Sequence, residues 1–238
     1  MHPVHILVTG SRRGIGAAIA ARLREGGARV VGHSSATDAG GMIAADLAVP
    51  GAAPRLWDAA LGALDGRIDI LVNNAGIFEA APIADAHDDW LTAWERTMQV
   101  NLTASAELCR LAVRHFQARG TGGRIVNIAS RAAYRGDSPD HWHYAASKAG
   151  MVGMTKTIAR AYAAAGIHAF AICPGFTCTG DPDDYMASRG GDAFLKDIPL
   201  GRVAFPEEVA EAAHFLALHA PASMTGAIID INGASYVR

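Results

Sequence analysis

The chain has little that would tie it to a metal, a membrane or a nucleic acid. Only three of its 238 residues are cysteine, Cys109, Cys173 and Cys178, an odd number with no paired spacing. That argues against a disulfide framework and for a reducing compartment. No His, Cys, Asp and Glu grouping has ligand spacing, so no metal is expected. The formal net charge is −2, and no run of Lys or Arg offers a footprint for nucleic acid or an anionic bilayer. No apolar stretch approaches the ~20 residues of a membrane span. The opening Met1-His2-Pro3-Val4-His5 runs straight into an apolar strand, without the charged and apolar regions of a signal peptide. The expectation is a cytoplasmic protein.

What is present is a chain half hydrophobic with 26 glycines, enough for one well-buried domain over residues 1–238. Short β-branched apolar runs alternate with alanine-rich stretches of helical period, the pattern of an α/β doubly wound parallel sheet of Rossmann type. Seven strands are predicted: His5 to Val8, Arg29 to Gly32, Gly41 to Ala45, Ile68 to Asn73, Gly123 to Ala129, Ile167 to Cys173 and Ala227 to Ile231. Helices are predicted at Gly14 to Glu25, Ala53 to Leu64, Asp88 to Arg119 with a bend near Val100 and Asn101, Ala145 to Ala165, and Pro206 to Leu218. Between the second and third strands the Gly-, Ala- and Ser-rich segment Ser34 to Gly41 is too short for a helical crossover, so a loop or single turn is expected. Phe176 to Gly201 is the other irregular stretch. Its Tyr185, Met186, Phe194 and Leu195 stand at helical spacings, which suggests a lid or binding loop.

The most informative segment is Tyr144-Ala145-Ala146-Ser147-Lys148. A phenol and an ammonium four residues apart in a helix lie on one face and can meet at one substrate. A tyrosine whose pKa is ~10 is a poor acid at neutral pH unless a nearby cation stabilises its phenolate. Alone, such a pair is an ordinary surface pair. It gains meaning beside the glycine-rich Thr9-Gly10-Ser11-Arg12-Arg13-Gly14-Ile15-Gly16, placed at a strand-to-helix turn where backbone N–H groups and the helix dipole face an anion. Asn73-Asn74-Ala75-Gly76 closes another strand, and Ser130 precedes Tyr144 by fourteen positions.

Together these resemble the short-chain dehydrogenase/reductase family, its 3-oxoacyl reductase-like branch in particular, over nearly the whole chain. The resemblance implies an oxidoreductase with Tyr144 as general acid/base. Lys148 would lower the pKa of Tyr144 and hold the nicotinamide ribose, Ser130 would hydrogen-bond the substrate oxygen, and Asn101 would bend its helix and hold a water on the lysine. It implies a dinucleotide on Gly10, Ser11, Arg12, Arg13, Gly14, Ile15 and Gly16. Asp46 and Leu47 would lie at the adenine, and Asn74, Ala75 and Gly76 beside the cofactor. Tyr144 and Lys148 would meet its ribose, and Pro174, Gly175, Thr177 and Thr179 would lie near the carboxamide.

The second strand ends in His33, Ser34 and Ser35, with no carboxylate to accept from a ribose 2′-hydroxyl. Arg13 is placed to pair with a 2′-phosphate. NADP(H) is therefore favoured over NAD(H), although Asp38 in the short connection could fold back and compete. The substrate would be a small carbonyl or alcohol, or an acyl thioester. An NAD(H)-dependent alcohol, sugar or polyol dehydrogenase and a non-catalytic NADP-binding regulator are the competing readings. The interval from Ser130 to Tyr144 is slightly longer than the family's and carries His141, Trp142 and His143, either histidine being a candidate for substrate contact. The ending Ile229 to Arg238 resembles the tail that family tetramers bury, so a homo-oligomer is expected, tetramer ahead of dimer.

Overall fold

The strands are short aliphatic runs that burial on both faces selects, as in HILV at His5–Val8 and ILVN at Ile70–Asn73, every residue of which is buried. The computed structural model describes residues 3–36, 40–180 and 195–238. In chain order the elements are β1 (His5–Val8), α1 (Gly14–Glu25), β2 (Arg29–Ser34), β3 (Ile43–Ala44), α2 (Ala52–Ala63), β4 (Ile70–Asn73), α3 (His87–Met98), α4 (Ala104–Arg119), β5 (Gly123–Ile128), α5 (Ala132–Arg135), α6 (Trp142–Tyr162), β6 (Ile167–Pro174), α7 (Pro206–His214) and β7 (Ile228–Ile231). The strands form one sheet of seven in the order β3-β2-β1-β4-β5-β6-β7, with every pair parallel.

Between β1 and β4 the winding reverses. Such a sheet opens a crevice there at the carboxyl ends of its strands. One face of the sheet packs Leu7, Leu71 and Ile125 with Leu56, Leu108 and Phe116. The other packs Ile6, Val72 and Phe170 with Ile19, Leu23 and Val209. The core is crossed by a polar rung. Asn73 Nδ2 donates to Asn127 Oδ1 at 2.9 Å, and Asn127 Nδ2 donates to Thr155 Oγ1 at 2.9 Å, so these buried amides tie β4 to β5 and β5 to α6.

The seven strands and the long helices stand where the apolar periodicity places them. β3, expected over Gly41 to Ala45, is only two residues long, because glycines at positive φ precede it and a parallel partner lies on one side alone. β2 runs two residues further than expected, through His33 and Ser34, which pair with Ile43 and Ala44. α6 begins at Trp142 rather than Ala145, which puts Tyr144 inside its first turn. The expected bend at Val100 and Asn101 is a π-helical turn, Gln99–Thr103, joining α3 to α4. α5, a single turn after Ser130, has no counterpart in the sequence reading. Of the anticipated lid, Tyr185, Met186 and Phe194 lie outside the described residues, as does Asp38. Leu195 packs with Cys178, Ile198, Val203 and Phe176.

Candidate active site

Two connected hollows occupy the crevice. The first, about 830 Å³, is lined by Gly10, Arg12, Arg13, Gly14, Ile15 and Gly16, by His33, Ser34 and Ser35, by Asp46 and Leu47, and by Asn74, Ala75 and Gly76. The second, about 290 Å³, is lined by Ser130, Tyr144, Lys148, Pro174, Gly175 and Thr177. Ile15, Asn74, Gly76, Ile77 and Thr179 line both. Among the residues that the sequence reading did not assign to the site are Ile77 and Arg96 in the first and Phe78, Arg131 and Asp137 in the second, while Phe176, the start of the expected binding loop, does line the second. Ile77, Phe78 and Arg131 follow motif residues directly in the chain, whereas no motif marks Arg96 or Asp137, which the packing of their elements brings to the crevice.

The glycine turn is built for close backbone approach. Gly10 has φ +64, and a Cβ there would lie 2.8 Å from Ala75 Cα. A Cβ on Gly16 would collide with the Gly10 carbonyl oxygen and Asn74 Nδ2. Asn74 spends its amide on the turn, donating to the Thr9 and Gly10 carbonyls at 3.0 Å each. Thr9 Oγ1 accepts from the backbone N–H of Asn74 and Ala75, again at 3.0 Å. α1 then opens with no acidic residue in its first turn and no side-chain cap. Its first N–H groups and the positive end of its dipole therefore face the hollow, as an anionic pyrophosphate requires.

Arg12, Arg13 and Ser35 are exposed at the rim, whereas Ser34 is buried and its Oγ accepts from the Ala36 N–H at 3.1 Å. Asp46 accepts from the Ala48 N–H at 3.0 Å. Thr179 packs against Gly14, while Thr177 turns its hydroxyl to the Gly175 carbonyl at 3.3 Å. The donor set fits a dinucleotide: glycine backbone for phosphates, two guanidinium groups and a serine at the outer end, and a hydroxyl-bearing wall at the inner end.

In the second hollow α6 carries Tyr144 and Lys148 on one face, and the end of β5 carries Ser130. The Tyr144 phenol and the Ser130 side chain line this hollow together, and Ser130 acts against burial to lower the phenol's pKa; Ser130 Oγ accepts from the Ala132 N–H at 3.1 Å. The single turn α5 thus aims the serine. Lys148 is 4% exposed and donates to the Ile128 carbonyl at 2.9 Å, with Nζ 5.8 Å from the Tyr144 ring centroid.

Burial pushes the phenol up to about 12 and the ammonium down to about 8. Desolvation dominates the phenol, and the lysine charge is turned toward a carbonyl. Asn101 sits in the π turn, wholly buried. Its Oδ1 accepts from the Ile77 N–H at 2.8 Å and its Nδ2 donates to the Ile77 carbonyl at 3.0 Å. A Cβ on Gly76 would lie 3.3 Å from Asn101 Oδ1 and 3.5 Å from Lys148 Nζ, so the three converge.

His141 and His143 stand behind the hollow. His141 stacks on Phe78 at 3.8 Å, and Phe78 meets Tyr144 edge-on at 4.8 Å. His143 is buried against Trp94. Arg131 lies over the Phe176 ring at 4.2 Å, forming the far wall. Among the described residues no three His, Cys, Asp or Glu side chains gather as a metal site, and no helix is long and apolar enough to cross a membrane.

A tyrosine, a lysine and a serine gathered in one hollow beside a glycine-lined crevice suit an oxidoreductase, and comparison with known proteins gives the family. Residues 10–234 match the family model described as enoyl-(acyl carrier protein) reductase. The D-threitol dehydrogenase of Mycolicibacterium smegmatis is 37% identical over 245 residues, covering 98% of this chain and 92% of that one. The cis-4-hydroxycyclohexanecarboxylate dehydrogenase of Sinomonas cyclohexanicum is 37% identical over 244 residues, covering 95% and 94%. The 3-oxoacyl-[acyl-carrier-protein] reductase of Vibrio cholerae is 34% identical over 242 residues, covering 97% and 96%. The chain belongs to the short-chain dehydrogenase/reductase family. It is an NAD(P)-dependent oxidoreductase acting on alcohol and ketone groups.

Proposed function

We propose that the protein is an NADP(H)-dependent reductase of a ketone or 3-oxoacyl group, running to a secondary alcohol or in reverse, with Tyr144 as its general acid/base. The observation that carries this is the convergence of Tyr144, Lys148 and Ser130 on one hollow at the inner end of a crevice whose outer end is the glycine turn. A nicotinamide held at the inner end would supply or accept the hydride. Tyr144, neutral at physiological pH, is poised to give its proton to a carbonyl oxygen, while Ser130 hydrogen-bonds that oxygen as charge develops on it. Lys148, beside Gly76, is placed for the ribose hydroxyls, and Asn101 holds the segment Gly76–Ile77 against it. Arg12, Arg13 and Ser35 form a cationic and hydroxyl-bearing rim suited to a 2′-phosphate. The only carboxylate lining this hollow among the described residues is Asp46, and it accepts from its own loop.

The names of the three relatives cover a polyol, a hydroxy acid and a 3-oxoacyl conjugate, which supports chemistry at a secondary alcohol or its ketone. The half-buried strand β7 at the edge of the sheet supports a homo-oligomer, tetramer ahead of dimer. We place the protein in the cytoplasm. The test is NADPH and NADH consumption against a panel of ketones, 3-oxoacyl thioesters and polyols. At least ~10-fold higher kcat/KM with NADPH is expected, a difference of ~1.4 kcal/mol in transition-state binding. Equal use of the two would overturn the cofactor assignment, and no turnover with any compound would favour a regulator.

A further inference from the structure

The ring of His33 occupies an unusual place. It lies at the end of β2, 2% exposed, between the glycine turn and the end of β3. The Gly10 N–H donates to Nδ1 at 3.0 Å, and Nε2 lies 2.8 Å from the Ala45 carbonyl oxygen. Nδ1 faces an N–H and must present a lone pair, while Nε2 faces a carbonyl and must carry the proton. Only the neutral Nε2–H tautomer satisfies both. The backbone of His33 is tied to the same turn. Its carbonyl accepts from the Ser11 N–H at 2.9 Å, and its N–H donates to Ser11 Oγ at 3.1 Å.

These contacts stand beside the short connection between β2 and β3. β3 is two residues long and pairs only through His33 and Ser34; Ala45 is held further by its N–H to the Ser34 carbonyl at 2.9 Å and Leu47 by the core, but the His33 ring alone joins the Ala45 carbonyl to the Gly10 N–H. We propose that His33 is a positioning residue whose neutral ring sets the geometry of the phosphate and adenosine half of the crevice, so that its protonation weakens dinucleotide binding in acid. This rests on the reading of that crevice as the dinucleotide site.

Protonation makes Nδ1 a donor aimed at the Gly10 N–H, and two donors at that distance repel. The turn that faces the pyrophosphate is then pushed from β3. Among charged neighbours Asp46 favours the protonated ring, but burial outweighs it and holds the ring below its ordinary 6.5. Ser11, on the turn, is uncharged. By linkage, a ligand that prefers the neutral ring must itself lower the ring's pKa further when it binds.

The experiment is calorimetric titration with NADP+ at about pH 7.5 and about pH 5, for wild type and for His33→Asn, whose Oδ1 can replace Nδ1 as acceptor and does not titrate. The 2′-phosphate titrates alike in both proteins and cancels in the comparison. The wild-type Kd should rise at least ~5-fold more across this range than that of the variant. Equal rises would overturn the proposal. Should the variant fail to fold, the wild type alone decides it: the His33 ring resonance, followed by NMR, must titrate at lower pH with saturating NADP+ than without, and an unchanged midpoint overturns the idea. Failure of wild type to bind either NADP+ or NAD+ at neutral pH would instead bring down the dinucleotide reading, and this inference with it.

Discussion

At the residue scale the chemistry is governed by desolvation. The Tyr144 phenol, pushed up to about 12, stays protonated through neutral pH and suits proton donation in the reductive direction. Lys148 is brought down to about 8 by the same burial. Cys173, pushed up to about 11, is a neutral thiol at neutral pH, so it lends no charge to either group there. A lysine with a depressed pKa is cationic below that value and neutral above it. The kcat/KM for carbonyl reduction should therefore hold from about pH 6 to near 8 and fall above, with an apparent pKa near 8. A profile flat to about pH 10 would separate the lysine charge from the rate. The sequence made Tyr144, Lys148, Ser130 and Asn101 legible because their spacing is chemically constrained. It could not show that Ser34 turns inward while Ser35 stays at the rim, because which hydroxyl faces the crevice depends on where β2 ends.

At the element scale the site depends on three pieces meeting: the β1–α1 turn, the end of β4 and the first turn of α6. Gly16 is the tightest point, since any Cβ there meets the Gly10 carbonyl and the Asn74 amide. Those atoms belong to backbone and to a side chain already hydrogen-bonded twice, so relaxation is costly. Gly16→Ala should destabilise the fold by ~1–3 kcal/mol and weaken NADP(H) binding more than it lowers the melting temperature would suggest. Thermal melting and calorimetry on one preparation check this, and a variant with wild-type Kd and Tm would show that the turn yields freely.

The long elements were legible from periodicity alone. α1 and β1 fall within their expected bounds, and α4 and β5 differ by a residue or less at their outer ends. What escaped is local. α5 is four residues, too short to carry a helical period. The start of α6 is Trp142 and His143, neither a strong helix former, and their helical state follows from packing of Phe78 on His141 and Trp94 on His143. The shortening of β3 was readable in its glycines, but the ring that bridges its end to the glycine turn was not. His33 looks like one more polar residue until β3 is folded beside it.

At the scale of the whole molecule, burial of titratable groups sets an acid limit. His33, His115, His143, His168 and His214 are all held below their ordinary 6.5, with desolvation the leading cause in each. Desolvation would raise Asp69, but hydrogen bonds from Arg67, the His5 N–H and Arg119 outweigh it and hold this carboxyl below its usual range. A group with a depressed folded pKa contributes stability above its unfolded pKa and loses it as pH falls through the folded one. Stability should therefore be full above about pH 6.5 and decline as the histidines are forced to charge, with Asp69 adding a further loss in stronger acid. Thermal melts from about pH 7.5 down to about 4 should show a Tm falling in two stages. A Tm constant over that range would contradict it. The exposed ion pairs, such as Arg22–Glu211 at 2.6 Å, contribute little by comparison.

The whole account turns on one proton, that of Tyr144. The most direct test is Tyr144→Phe, measured for NADPH-dependent turnover of the best carbonyl compound and, on the same sample, for NADP+ binding by calorimetry. Turnover should fall at least ~100-fold with Kd within ~3-fold of wild type, because only the phenol hydroxyl with its transferable proton is removed. A variant that binds normally and keeps more than ~10% of the wild-type rate, far above what loss of a general acid allows, would contradict the central claim.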